Sequence, residues 1–437
     1  MSGGLVGLPG PARAAGVNAV HPPDLRGRSV WVHVLGCRSN LCEGDFLAGD
    51  LEARGALVTR DPEGCSAAVI VSCSVTAEAD RKCRQAVRRA RRTVGELGVV
   101  AVCGCWAQGA AADEARELGA DILVGNRRKG ELTDALEAMV RDGRAFCDLR
   151  SDLLRDRRWE ELPATRPVFH TRAFLKVQEG CDHFCSYCVI PFLRGRSTSR
   201  PADRAMDEAR RLLDAGCREI VLTGIHLGVY GRDTGSSLAE LVRALSALPG
   251  LERLRLGSLE PFALSDDLLE ALGESPVFCP HLHLPLQSGD NGVLSRMRRG
   301  YTADDFARIC GRARERLGED LHISSDVLVG FPGEDEGAFG NTLRLMRRAG
   351  IGRAHVFPYS PRRGTPAASF EGRVSPAALS ARAAEAAALG NELLDAYAAR
   401  FVSVAAAYGL GPPQADVDAL RTMADLIDET DDGRPSP

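Results

Sequence analysis

Cys181-Asp182-His183-Phe184-Cys185-Ser186-Tyr187-Cys188 carries three cysteines at spacings of four and three residues. A chain with no secretory signal rarely crowds thiols this way unless they bind a metal centre. Structural zinc takes four closed ligands, usually from two C-x-x-C pairs, and the next cysteine downstream is Cys217. Three thiolates suit an iron–sulfur cube with one iron left open. An open iron can chelate a small molecule, which makes the loop a reactive site. A degenerate zinc knuckle is the structural alternative.

The loop follows the first of six strand-like runs, 171–177, 219–222, 253–256, 282–286, 322–329 and 354–357. Helical stretches at 202–215, 238–248, 265–272, 303–317 and 336–348 separate them. Six β/α units predict a partial (β/α)6 barrel over residues 167–374. The unusual residues fall just after these strands, at the face where barrels place chemistry: 223–228, 258–261, 287–289, 330–334 and 359–365. Any one of these loops is also readable as a plain turn. Gly224, Gly228 and Gly330 would let backbone approach a cofactor. Thr223 belongs to the same candidate cofactor set. Glu260 and Gln287 can hydrogen-bond an amine or a ribose hydroxyl. Tyr187 would shield the cube or pack on adenine. His226 is a proton donor or a satisfied loop histidine.

Upstream, residues 28–143 show five apolar runs, 29–35, 56–59, 67–71, 99–102 and 121–124, alternating with helical stretches. That alternation predicts a doubly wound parallel sheet. No G-x-G-x-x-G follows the first run, so a dinucleotide fingerprint is absent. Cys37, Cys73 and Cys105 stand just past three of the runs, and such loops converge at the carboxyl edge of a sheet. Small buried core cysteines are the alternative for each, and the stronger reading for Cys42, Cys65, Cys83 and Cys103. The helix-prone stretch 78–96 carries Arg81, Lys82, Arg84, Arg88, Arg89, Arg91 and Arg92, a solvated face or a phosphate-binding one. Arg127, Arg128 and Lys129 add to the basic character.

The 437 residues suffice for two or three domains, and a hydrophobic fraction of 44% is ordinary for a globular chain. No apolar run reaches the roughly 18 residues of a membrane span. Residues 1–27, rich in Gly, Pro and Ala, lack a continuous apolar core and read as a disordered extension rather than a cleaved signal. Fourteen cysteines point to reduced thiols in a cytoplasm. Residues 144–166 read as a linker. Ser375 and Pro376 open an Ala-rich helix over 375–410, and 411–437 form an acidic tail.

These segments together resemble the methylthiotransferases, a branch of the radical S-adenosylmethionine (SAM) enzymes with an added N-terminal domain. The likeness covers 28–370 and rests on 35–40, 73–76, 104–108, 124–126, 174–178, 180–191, 221–228, 283–289, 326–334 and 355–360. Ile225-His226-Leu227 and Phe357-Pro358-Tyr359-Ser360 make it most similar to the enzymes that methylthiolate threonylcarbamoyladenosine in tRNA. The resemblance implies two [4Fe–4S] clusters, one on Cys181, Cys185 and Cys188 with SAM, and an auxiliary one on Cys37, Cys73 and Cys105. It implies methylthio transfer to C2 of adenosine 37 in tRNA, with a sulfur source and an electron donor such as flavodoxin or ferredoxin. A related tRNA adenosine, a ribosomal-protein side chain, or a non-catalytic iron–sulfur role are the competing outcomes. Relatives usually end in a small RNA-binding barrel, the TRAM domain, and no alternating strands follow residue 375 here. RNA recognition would then fall to Arg88 and Arg89 and to the cavity rim, including Arg194, Arg196, Arg298, Arg299, Arg362 and Arg363.

Overall fold

A computed structural model describes residues 24–407 apart from Arg144, Thr165 and 169–171, with side chains as far as Arg400. The acidic tail and most of the expected N-terminal extension lie outside the described residues.

The first half alternates strand and helix: β1 Ser29–Val34, α1 Arg38–Ala53, β2 Leu57–Thr59, β3 Ala67–Ser72, α2 Ala77–Val94, β4 Val99–Gly104, α3 Cys105–Gly109, α4 Ala112–Glu117, β5 Ile122–Val124, α5 Leu132–Asp142 and β6 Cys147–Leu149. Its six strands are all parallel, in the order β2-β1-β3-β4-β5-β6. Buried residues on β3 divide by parity. Ala68 and Ile70 face Val87 and Ala90 of α2, while Val69 and Val71 face Leu47 and Leu51 of α1 and Leu136 of α5. Two-sided burial explains why these strands read as continuous apolar runs rather than alternating ones.

Two boundaries differ from the sequence expectation. Leu25 is fully buried with the α1 side of the core, and Gly27 N–H donates to Gly55 O at 2.8 Å, so the packed chain begins before residue 28. The supposed linker opens with β6, which pairs with β5. Three residues with Asp148 at the centre are too short for a periodic signal, although Cys147 and Leu149 pack against the core beside α1 and α5.

The second half contains β7 Ala173–Glu179, α6 Ile190–Arg194, β8 Thr198–Ser199, α7 Ala202–Asp214, β9 Glu219–Gly224, α8 Leu238–Ser246, β10 Arg253–Leu256, α9 Asp266–Glu274, β11 His281–His283, α10 Asn291–Met297, α11 Ala303–Leu317, β12 His322–Val329, α12 Glu336–Arg348, β13 Arg353–Pro358 and α13 Pro376–Ala407. Strands β7, β9 and β10 are parallel neighbours, as are β11, β12 and β13. The bridge between Ser258 and His283, with Leu259 N–H on His283 O at 2.9 Å, joins the two groups into one curved sheet in chain order. This is the expected partial barrel. Its β7 edge carries the short antiparallel β8, which the sequence did not reveal.

Helix starts are fixed by local chemistry. Ser237 with Glu240, and Thr302 with Asp305, form capping boxes, while Asp335 caps α12 through Ala338 N–H. The C-terminal helix is a packed element rather than a loose tail. Ala386 and Leu389 of α13 enter the barrel core, and Tyr397 Oη donates to Asp320 O at 2.9 Å. On the same helix Arg382 bonds Glu334 Oε1 at 3.0 Å and the Glu334 carbonyl at 2.9 Å. The Glu334 side chain is 1% exposed. Removing one partner of a buried pair leaves an uncompensated charge. The Arg382→Met variant should therefore lose about 3 kcal/mol of stability, read as a lower thermal unfolding midpoint, whereas Met at the exposed Arg348 should cost little.

Candidate active site: two thiol trios

The barrel trio occupies the loop between β7 and α6. Gly180 has φ +72°, and the carbonyls of Gly195 and Arg196 crowd the place where its Cβ would stand. Only glycine lets the loop leave and return so closely, and Cys181 N–H donates to Gly195 O at 3.0 Å across that gap. Inside the loop Cys188 N–H donates to Cys185 O at 3.0 Å. Ser186 pins the middle: its N–H reaches Met297 O at 3.0 Å, its hydroxyl reaches Arg296 O at 2.7 Å, and its carbonyl accepts from Ala367 N–H at 2.9 Å. The sulfurs also have donors. Arg299 Nη1 lies 3.2 Å from Cys185 Sγ, His183 N 3.4 Å from Cys181 Sγ, and His226 Nδ1 3.7 Å from Cys181 Sγ.

The N-terminal trio gathers at the carboxyl edge of its sheet. Cys37 precedes α1, Cys73 follows β3, and Cys105 opens α3. Gly36, at φ +96°, brings the first loop onto the second: a Cβ there would stand 2.7 Å from Cys73 Sγ. Burial raises the Cys73 thiol well above its ordinary range, and Cys37 and Cys105 raise it further. The barrel trio behaves alike. Burial lifts Cys181 to about 11, and burial with Cys185 lifts Cys188 to about 12. Three mutually repelling thiolates at one site require a multivalent cation to deprotonate them. Among the described residues no set of three ligating side chains closes on a single ion. Three thiolates per site match an iron–sulfur cube with one iron left open.

The helix that follows the barrel trio reaches the N-terminal one. Arg194 Nε, six residues past Cys188, donates to Cys105 Sγ at 3.1 Å. Asn126 Nδ2 stands 3.7 Å from Cys105 Sγ and donates to Leu193 O at 2.6 Å. Behind this contact lies a buried charge network. Arg194 Nη1 meets Glu43 at 2.6 Å and Glu179 at 3.0 Å; Lys176 meets Glu43 at 2.7 Å and pairs with Glu179; Lys129 meets Glu43 at 3.2 Å. Burial alone would raise the Glu179 carboxyl, but Arg194 and Lys176 override it and hold it at about 2.

The other expected site residues divide. Tyr187 lies edge-on to Phe331 and near Arg299, and Glu260 forms an ion pair with Arg299. Gln287 sits at φ +64° with its backbone laddered to Asp326 and Leu328. Thr223 is buried on β9. Protein neighbours stand where a Cβ would be at each glycine: Gln178 at Gly224, Ala263 at Gly228, and Leu379 at Gly330. His226 is buried, its Nε2 has no partner among the described residues, and desolvation lowers its pKa.

The basic rim is smaller than the sequence suggested. Arg194 and Arg299 are 0% and 1% exposed, held among carboxylates and sulfurs. Arg362 is not a free RNA ligand; it bonds Ser74 Oγ at 2.9 Å and Asp80 Oδ2 at 2.7 Å, tying the loop after β13 to the Cys73 loop. Arg127 and Lys129 are buried, and Arg128 pairs with Glu131. Arg196 pairs with Asp182 at 2.6 Å. Arg88, Arg89, Arg298 and Arg363 are exposed, with Arg89 over the Trp31 ring at 5.4 Å.

Sequence reading missed Asn40, Glu43, Lys176 and Glu179 as site residues, took Arg299 for a rim cation, and also missed a polar ladder in the barrel. Ser324 Oγ lies 2.8 Å from His281 Nε2 and 2.9 Å from His283 Nδ1, and His283 Nε2 lies 3.3 Å from Asp326. The alternation of His281 and His283 on β11 and of Ser324 and Asp326 on β12 was the available signal, since period two puts each pair on one face.

Known proteins match this arrangement. Residues 175–346 match the radical SAM superfamily, and residues 29–125 match the uncharacterized protein family UPF0004. The threonylcarbamoyladenosine tRNA methylthiotransferase MtaB of Bacillus subtilis is 37% identical over 85% of this chain and 82% of its own. Its Thermotoga maritima counterpart is 35% identical over 79% and 78%. A tRNA-2-methylthio-N(6)-dimethylallyladenosine synthase of Jannaschia sp. is 37% identical over 81% and 77%. In fold, the chain resembles the radical S-adenosylmethionine methyltransferase TsrM of Kitasatospora setae, with a TM-score of 0.58, 17% identity, and coverage of 78% of this chain and 77% of that one. The chain belongs to the radical SAM tRNA methylthiotransferases, enzymes that use S-adenosylmethionine and [4Fe–4S] clusters.

Proposed function

We propose that this chain adds a methylthio group to C2 of N6-threonylcarbamoyladenosine at position 37 of tRNA. The carrying observation is the contact between the two cysteine-bearing regions, Arg194 of the helix after the barrel loop on Cys105 Sγ of the sheet domain. When bound, the clusters and SAM supply the radical and sulfur-transfer chemistry of the family. The chain's own residues hold and orient. Gly180 and Ser186 fix the barrel loop at its ends and centre. Glu260, oriented by Arg299, is placed beside Cys185 to accept from an amine or hydroxyl of SAM. A low-potential one-electron donor such as flavodoxin or ferredoxin, a separate sulfur source and a cytoplasmic setting complete the reading. Among the described residues no helix is long and apolar enough to cross a membrane.

The dimethylallyladenosine synthases, at similar identity, support a second reading of the base. The two bases differ in charge: a threonylcarbamoyl group ends in a carboxylate, a dimethylallyl group is apolar. Exposed Arg298, next to the Cys185-bound Arg299, suits the carboxylate. Nucleoside mass spectrometry of tRNA from cells with and without the protein decides between them. The methylthio mass gain should fall on threonylcarbamoyladenosine; a gain on dimethylallyladenosine alone would replace this substrate with the other.

Anaerobically reconstituted protein should hold about eight irons, four per cube. Changing Cys181, Cys185 and Cys188 to Ala should remove one cluster and abolish reductive SAM cleavage. Changing Cys37, Cys73 and Cys105 should remove the other and leave cleavage intact. Iron analysis and 5′-deoxyadenosine release read both outcomes.

Helix α2 is the surface for phosphate contact. Arg81, Arg84 and Arg91 are used in pairs with Glu78, Glu114 and Asp121, while Lys82, Arg88, Arg89 and Arg92 point outward. Changing Arg88, Arg89 and Arg92 to Gln should weaken tRNA binding and reduce its log–log salt slope by roughly 2, about 0.7–0.9 per lost phosphate contact. SAM cleavage without RNA should not change.

A further inference from the structure

A fully buried guanidinium needs a reason for its place, and charge balance at Glu43 does not provide one for Arg194. Glu43 already has Lys129 at 3.2 Å and Lys176 at 2.7 Å, and Glu179 already pairs with Lys176. Arg194 adds a third cation to two carboxylates. What the lysines do not reach is the sulfur of Cys105, and Arg194 Nε does, at 3.1 Å. Its fork is held for that purpose: Nη1 by Glu43 and Glu179, Nη2 by Asn40. Asn126 Nδ2 approaches the same sulfur at 3.7 Å and is itself oriented by Lys129, which donates to Asn126 Oδ1 at 2.6 Å.

Adding an electron to an iron–sulfur cluster adds negative charge. N–H donors and a cation on a ligand sulfur favour that reduced state and raise the potential. The residue that does this here comes from the other half of the molecule. It ends α6, the short helix that follows Cys188. We propose that Arg194 is a positioning residue that raises the reduction potential of the auxiliary cluster through its bond to Cys105, so that this cluster is tuned only when the barrel's cysteine loop is docked on it. The inference rests on the assignment of Cys37, Cys73 and Cys105 to a cluster.

The test is an anaerobic redox titration of the reconstituted holoenzyme followed by electron paramagnetic resonance, with and without SAM. The signal that SAM perturbs belongs to the barrel cluster; the insensitive one belongs to the auxiliary cluster. Two variants are compared with the unmodified protein. R194Q with E43Q removes the guanidinium together with its main counter-charge, so that no carboxylate is stranded at that position. R194K keeps the charge and loses the planar fork. In the double variant the auxiliary midpoint should move to lower potential, giving a reduced-to-oxidised ratio roughly tenfold lower at the unmodified protein's midpoint, the factor expected for one charge-assisted hydrogen bond. R194K should shift the same way by less, and the SAM-responsive signal should hold its midpoint in both. An unmoved auxiliary midpoint, or equal movement of both clusters, would overturn the proposal. Should the double variant fail to take up iron, R194K decides by the same criterion. A single cluster in the unmodified protein would instead remove the assignment beneath it.

Discussion

Five charged side chains, Glu43, Lys129, Lys176, Glu179 and Arg194, meet almost without exposure where the parallel sheet domain joins the partial barrel. Charges out of water are tolerated only when each is paired and hydrogen-bonded. Here the pairing runs across the junction: Glu43 and Lys129 come from the sheet domain, Lys176, Glu179 and Arg194 from the barrel. The apolar contact beside it, Cys42 with Phe174 and Val221, has no directional preference, so the ions supply the register. That register places Cys105 against Arg194, at the end of the helix that follows the cysteine loop.

The barrel then holds its own trio by distributing the anchors. Ser186 donates two bonds to the last turn of α10, at Arg296 O and Met297 O, and accepts a third from Ala367 N–H beyond β13. The cysteine loop is thus referenced to strands on both sides of the opening rather than to β7 alone. Helix α13 completes the arrangement by covering β13, whose edge would otherwise present unpaired backbone groups.

Much of this was legible in the sequence because it depended on local pattern. Apolar runs found eleven of the strands, the close spacing of Cys181, Cys185 and Cys188 marked the barrel loop, and the places of Cys37, Cys73 and Cys105 after strand ends offered the second trio. What was not legible depended on partners distant in the chain. Arg194 and Arg299 read as rim cations because an arginine in a polar loop is usually exposed; each is buried by a carboxylate far away in sequence, Glu43 for one and Glu260 for the other. Gly224, Gly228 and Gly330 marked places of close approach, and a protein side chain stands on the Cβ side of each, which the sequence did not show. Strands β6 and β8, three and two residues long, are too short for any periodicity to register.

The crossed ownership of the buried ions bears on how such proteins can be recombined. Two domains joined by apolar contact alone could be exchanged with relatives at little cost. Here the sheet domain cannot be transplanted onto a foreign barrel as a finished module. The new host would have to provide a guanidinium at the end of the helix after its third cluster cysteine, and a Lys and a Glu at the matching strand positions. Without them, Glu43 and Lys129 would be left facing a surface that does not answer their charge. The unit of inheritance is therefore the pair of domains together with the seam between them.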